Sequence, residues 1–285
     1  WLETYGAMID DIRLALDWAL SSVGNASISL ALASLSAPLW YQHSLQDEFR
    51  GRAEKALAAV SEIEVDVERE IQLLIALGHS YLNTNGMQAA MPAAFTRALQ
   101  LARQQRKPKY EMQALWGLWS GHNIVGEYEQ AVAYAKQYGD LAEAAGDPRA
   151  LVILDRMMMR SHHQLGEHGR GRECAERVLA HPGTRSSAAR NTGFQLDQRT
   201  AANTILVRIL WLQGFADQAM HLANDIVAHA NAVGHMLSLC YGVTIGASPV
   251  ALLVGDTNQA TLWNNLLREQ SLRPGNLVHA AVAVG

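Results

Sequence analysis

The feature that most constrains this chain is a spaced ladder of glycines. In Gly126-Glu127-Tyr128-Glu129-Gln130-Ala131 a glycine precedes an aromatic at +2 and a small residue at +5, between two helical patterns. Glycine suits a helix-to-helix turn because it takes positive φ without a Cβ clash. A small residue five positions on, inside the second helix, lets the two helices approach closely. The spacing returns as Gly166…Gly171, Gly214…Ala219 and Gly255…Ala260, with a degraded copy at Gly86, where Met91 takes the small position. Aligning Ala56-Leu57 with Ala98-Leu99 adds a glycine-less copy at Ser44. From Ser44 the intervals are 42, 40, 40, 48 and 41 residues. A near-constant period of that length predicts an array of helical hairpins. A single hairpin buries too little apolar surface to offset the entropy of ordering its residues, so neighbouring hairpins must stack.

Apolar periodicity supplies the elements. An opening helix over Leu2 to Ser21 carries a stripe of Ile9, Ile12, Leu16 and Leu20, joined by Trp18. It has no partner in the ladder and reads as a cap over residues 1–24. Residues 25–285 then form the repeat array, a single domain. Its pairs are 27–44 with 47–60, 66–84 with 88–106, 109–125 with 128–145, 148–165 with 168–181, 196–213 with 216–233 and 236–254 with 257–270. A truncated helix follows from 275. Pro92 and Pro148 fall in first turns, where a missing N–H is tolerated, and Asp147 stands where it can cap the second of these helices. Pro249 falls well inside its helix and should kink it. The 48-residue interval contains His181 to Gln195, a stretch without helical periodicity and the one long loop.

Composition narrows the function classes. A net charge of −4 gives no general case for binding nucleic acid or a membrane. Two cysteines, Cys174 and Cys240, make no disulfide framework, and the chain reads as cytoplasmic, with both thiols buried and inert. The run from Met236 to Gly255 has the length of a membrane span, but it occupies a first-helix slot and reads as a buried helix. The start at Trp1 and the stop in mid-pattern suggest a piece of a longer protein. There is no G-x-x-x-x-G-K-[ST], no G-x-S-x-G elbow and no basic helix-turn-helix. His162, His163, Glu167 and His168 are the densest group of potential metal ligands, but Gly166 should end the helix between them, so no metal and no cofactor is expected. By alignment His162 points into its helix pair. His229 and His235 flank a turn and read as solvated.

Gly, an aromatic at +2 and Ala at +5 resemble the turn of the tetratricopeptide (TPR) repeat, stretched to about 40 residues. The resemblance implies an all-α, right-handed α-solenoid of antiparallel pairs. The opening Ile9-Asp10-Asp11-Ile12-Arg13-Leu14-Ala15-Leu16-Asp17-Trp18-Ala19-Leu20 resembles the start of the C-terminal TPR-like sensor in bacterial STAND ATPases that carry a winged-helix domain. Asp197-Gln198-Arg199, Leu210-Trp211-Leu212-Gln213-Gly214, Gly234-His235 with Leu239-Cys240-Tyr241, and Pro249 to Leu253 before Gly255-Asp256 resemble it too. That likeness implies a non-catalytic sensor or interaction arm, with ATPase and DNA-binding domains upstream in the same chain. A free-standing adapter is the alternative.

In TPR stacks the first helix of each pair lines the concave face. Transferring the groove positions through each glycine selects Trp116, Ser120 and Asn123, then Arg156, Arg160 and His163, then Thr204, Arg208 and Trp211. Residues 149 to 208 hold ten arginines against five acids. Guanidinium forks beside tryptophan faces suit a carboxylate, a phosphate or an acidic peptide. The expected ligand-binding set is therefore Trp116, Asn123, Arg156, Arg160, His163, Arg208 and Trp211, and the expected partner a peptide, a protein or a small anionic effector.

Overall fold

A computed structural model describes residues 8–42, 45–59, 66–83, 90–185 and 196–271. Among them every regular element is helical. The helices are α1 (Ile9–Ala19), α2 (Ala26–Gln42), α3 (Gln46–Ala58), α4 (Val67–Asn83), α5 (Ala90–Gln104), α6 (Pro108–Ile124) and α7 (Tyr128–Ala145). Next come α8 (Pro148–Gln164), α9 (His168–Ala180), the single turn α10 (Pro182–Arg185), α11 (Gln198–Leu212), α12 (Ala216–Val233), α13 (Met236–Tyr241), α14 (Ser248–Val254) and α15 (Thr257–Ser271). The chain divides into two compact units, residues 1–145 and 146–285.

In the first unit, α3 and α5 each pack on their own partner and on the next first helix. Thus α5 touches both α4 and α6, and the first helices α2, α4 and α6 follow one another in contact. Phe95 of α5 shows what this requires. A Cβ on Gly78 would lie 2.6 Å from its ring, and one on Gly117 would lie 2.3 Å away. The phenyl group therefore rests on bare backbone of α4 and α6. The cap α1 is fastened to the first pair by charge. Arg13 donates to Glu48 at 2.7 Å, Arg52 pairs with Asp17, and both guanidiniums lie over Trp40, at 5.8 and 5.5 Å from its ring centre. Trp18 does not join the buried stripe. It is half exposed, because Leu16 and Ala19 occupy the inward face of α1.

In the second unit, α9 packs between α8 and α11, and α11 packs on α12. The core is built from Met159, Val178, Ile205, Ile209, Ile226 and Val243, with Trp263 and Leu267 at its far end. The Met236–Val254 stretch has a mean hydropathy of 1.8 and is long enough to cross a membrane, yet over half of it is buried within the unit. Pro249 does not stand inside an unbroken α-helix. Residues Gly242–Ala247 form a π-helical turn, and the α-helix restarts at Ser248 with Pro249 in its first turn. Widening the ladder just before proline places the missing N–H where a helix start tolerates it. Gly242 and Gly246 permit the turn to sit against Ile226 and Thr204, at 2.8 and 3.1 Å from where Cβ atoms would stand.

The turns follow the glycine ladder. Gly126 and Gly214 have φ of 83° and 87°. The +5 residues Ala131, Ala219 and Ala260 are buried beneath the partner helix. The copies at Ser44 and Gly86, the 186–195 part of the loop and the helix from 275 lie outside the described residues. Arg106 takes φ 53° at the end of α5, the role Gly146 plays forty residues later. Left-handed backbone is costly for any residue with a Cβ. Arg106→Gly is therefore expected to stabilise the protein by about 0.5–1 kcal/mol, and Gly214→Val to destabilise it by more than about 1 kcal/mol. Urea midpoints of the two variants test this, and shifts in the same direction would contradict the turn assignment.

Candidate ligand site

Two turns repeat one another in detail. Pro108 and Pro148 open α6 and α8, and fourteen residues on His122 and His162 each bond across the turn to Glu127 and Glu167. Both Nδ1 to Oε2 distances are 2.6 Å. His162 thus fastens its turn, with its side chain largely buried. Its hydrogen bond, followed by nearby Arg170, holds the Glu167 carboxyl below its ordinary range.

Of the predicted ligand residues, Trp116 and Asn123 belong to α6 in the first unit. Trp116 lies between His79 and Trp119, with ring centres 5.3 and 6.0 Å away, and its Nε1 is buried without a hydrogen bond. Asn123 is buried and donates through Nδ2 to the Trp119 carbonyl at 2.9 Å, while its Oδ1 has no partner.

The remaining residues belong to the second unit. Arg156 is buried on α8 and donates to Gln198 at 3.2 Å. Trp211 is half-buried and packs against the core of the unit. Arg160, His163 and Arg208 are brought together with His168. Arg160 and His163 stand one turn apart on α8, and His163 faces His168 at the start of α9 with ring centres 5.4 Å apart. His163 is only 6% exposed and its Nδ1 has no partner, nor do Arg160 Nε and His168 Nδ1. Burial, then the positive fields of Arg208, His168 and Arg160, push His163 from 6.5 down to about 4.

Three carboxylates of the unit, Asp155, Glu167 and Asp197, have partners of their own. Asp155 accepts from Arg177 Nε at 2.9 Å, and Glu167 accepts from His162 and Arg170. Asp197 caps α11 through Thr200 and also meets His229 at 3.0 Å, so His229 is held rather than solvated. His235 likewise bonds Ser238 at 2.7 Å. Cys174 and Cys240 are buried free thiols, and burial pushes Cys240 up to about 11. Among the described residues no three His, Cys, Asp or Glu side chains gather as metal ligands. In the sequence His168 stands out only as a metal candidate, not as a groove residue. Its register, two residues after Gly166 as Tyr128 follows Gly126, is the signal that places it against its own first helix.

No family model matches the sequence, and no curated protein matches it significantly. Solved structures do resemble it. Aspartyl phosphate phosphatase F from Bacillus subtilis aligns at 13% identity and a TM-score of 0.66, over 87% of this chain and 61% of that one. The Rap conjugation gene regulator of plasmid pLS20, in complex with the Phr* peptide, aligns at 14% and 0.65, over 86% and 64%. A Rap protein complexed with competence and sporulation factor aligns at 12% and 0.61, over 90% and 72%. The fold is a TPR-like α-solenoid. This chain spans under two thirds of the first two of those proteins.

The depressed His163 has a consequence for stability. As pH falls through 6.5 the unfolded chain takes up a proton that the folded site refuses until about 4. The unfolded state then binds more protons, and stability falls across that window by up to about 1.4 kcal/mol per pH unit. In His163→Gln the fall in urea midpoint between pH 6.5 and 4 is expected to be shallower, the remainder including His79, which burial also brings to about 4. Parallel curves for the two proteins would remove His163 from this role.

Proposed function

We propose that the chain is a non-catalytic, TPR-like interaction module that takes a peptide or protein segment along the first helices of its pairs. The observation that carries this reading is where the unsatisfied polar atoms lie. Eight side-chain atoms among the described residues are buried without partners, and five of them, Trp116 Nε1, Asn123 Oδ1, Arg160 Nε, His163 Nδ1 and Asn203 Oδ1, are on first helices. A buried polar group without a hydrogen bond costs stability, so unpaired polar atoms recurring on the first helices of each unit fit groups reserved for a ligand. Two of the structural neighbours are complexes, one with the Phr* peptide and one with competence and sporulation factor. A third neighbour is named a phosphatase, but identity of 13% carries fold and not activity. On this reading residues 1–24 cap a 25–285 array in a cytoplasmic setting. Trp116, Asn123, Arg156, Arg160, His163, Arg208 and Trp211 are its ligand-facing candidates.

A second reading makes the module the sensor arm of a STAND-type ATPase regulator. It rests on the sequence resemblance of the Ile9–Leu20 stretch, most of which forms α1. In that case ATP and DNA are handled upstream in the same chain. A P-loop and a winged helix encoded before Trp1 in the parent reading frame would select this reading.

Peptide display against the immobilised 285-residue chain tests the first proposal. Linear peptides should be enriched, and Asn203→Leu should weaken them by roughly five- to thirtyfold, the worth of about 1–2 kcal/mol, while its thermal midpoint holds or rises. Failure to enrich any peptide would overturn the reading.

A further inference from the structure

The group around His163 has a composition that a general peptide groove does not require. Arg160 and Arg208 each stand six residues before a turn glycine, Gly166 and Gly214, so they hold the same register in successive pairs. The elements that carry them meet at one point. A Cβ on Gly171 of α9 would stand 3.0 Å from Ile209 Cδ1, 3.2 Å from the Met159 carbonyl oxygen and 3.5 Å from His163 N. Glycine at that position lets α9 press on α8 beside His163, with α11 closing over both. Neither Arg160 nor Arg208 joins an ion pair among the described residues, whereas Arg170, Arg172 and Arg177 of the same unit all do. The charged and titratable groups that face His163 are Arg160 from α8, His168 from α9 and Arg208 from α11, every one of them cationic or neutral.

We propose that Arg160, His163, His168 and Arg208 form a binding site for a compact dianionic oxyanion, a phosphoryl or sulfate group. This rests on the ligand-binding reading above and gives one subsite its chemistry. Two guanidiniums supply a fixed charge of two, which a dianion matches and a carboxylate half matches. A tetrahedral oxyanion also spreads three or four oxygens among four side chains with N–H groups on three helices, where a carboxylate presents two oxygens in one plane. His163 Nδ1, His168 Nδ1 and Arg160 Nε are the buried nitrogens such a group would satisfy. An arriving dianion also reverses the field on His163, which favours its imidazolium and couples binding to proton uptake.

The test is calorimetric titration of the 285-residue chain with sodium sulfate at pH 8, 7 and 6, at constant ionic strength in chloride. Sulfate stays doubly charged over that range, so any pH dependence belongs to the protein. Affinity should rise by roughly three- to tenfold from pH 8 to pH 6 as the bound ion lifts His163. Arg160→Gln and Arg208→Gln should each weaken sulfate by about tenfold or more, and His163→Gln should bind at pH 8 with a shallower rise at pH 6, His168 being the other imidazole of the site. Circular dichroism and thermal midpoints establish that each variant is folded. Should one arginine variant not fold, the other variant and the histidine proton shifts of the unaltered chain on adding sulfate still decide the matter. Inorganic phosphate and a phosphoserine heptapeptide, run beside sulfate, separate a free ion from a group carried on a peptide. Acetate binding as tightly as sulfate, sulfate binding that survives both arginine changes, or no sulfate binding at all would each overturn the site. If displayed peptides bind but sulfate does not, this subsite falls and the peptide reading stands. If sulfate binds and no peptide does, the subsite stands and the peptide reading falls.

Discussion

The structure depends on helices meeting where one of them has no side chain. Phe95 lies on the bare backbone of Gly78 and Gly117, and Gly171 brings α9 onto α8 and α11. Such contacts bring backbones closer than leucine-on-leucine packing allows, and close-packed interiors leave no slack to absorb an added methyl group. Stacking then buries what each hairpin leaves exposed, so hairpin and array are stable for the same reason. The positive φ of the turn glycines serves that contact, because it reverses the chain within two residues and brings the +5 alanine beneath its partner helix.

Those parts of the fold were legible because their causes are local. A left-handed turn needs glycine whatever surrounds it, and Gly126, Gly166, Gly214 and Gly255 all adopt positive φ. Cap and proline positions such as Asp147 before Pro148 are local too, and the Asp147 carboxylate accepts from Arg149 N at 2.9 Å. What was not legible depends on neighbours distant in sequence. A helix containing Pro249 does not announce the π-turn before it, where Ile226 and Thr204 stand against the bare backbone of Gly242 and Gly246. Trp18 looked like part of a stripe because an indole is large and apolar, yet α1 has room on its inward face for Leu16 and Ala19 instead.

The same division runs through the site. Register alone chose Arg160, His163 and Arg208, since positions three and six residues before a turn recur on one helix face. Register could not say which acids would claim which arginines. Asp155 neighbours Arg156 in sequence but pairs with Arg177, twenty-two positions on, because the antiparallel helix returns that guanidinium to it. His162 was similarly out of reach of a face-based argument. Its mostly buried ring also reaches the chain reversal, where Glu167 offers a carboxylate, and that bond engages Glu167 away from Arg160.

This last arrangement explains how cations persist together in a chain of net negative charge. Opposite charges close in sequence are drawn into local pairs across turns and along helices, as with His162, Arg170 and Glu167 or Arg172 and Glu176. Each such pair on the surface adds little stability. Their collective effect is to engage Asp155, Glu167 and Glu176, three of the carboxylates of α8, α9 and the turn between them. Arg160 and Arg208 lie on helix faces turned from those partners, and His163 between them is held neutral by burial and by their field. The unit tolerates that cost because the packing of Met159, Ile205, Ile209 and Ile226 beneath is complete. A cluster of unneutralised donors supported by a dense apolar core is stable enough to exist with polar atoms left unpaired, which is the arrangement the proposed anion site requires.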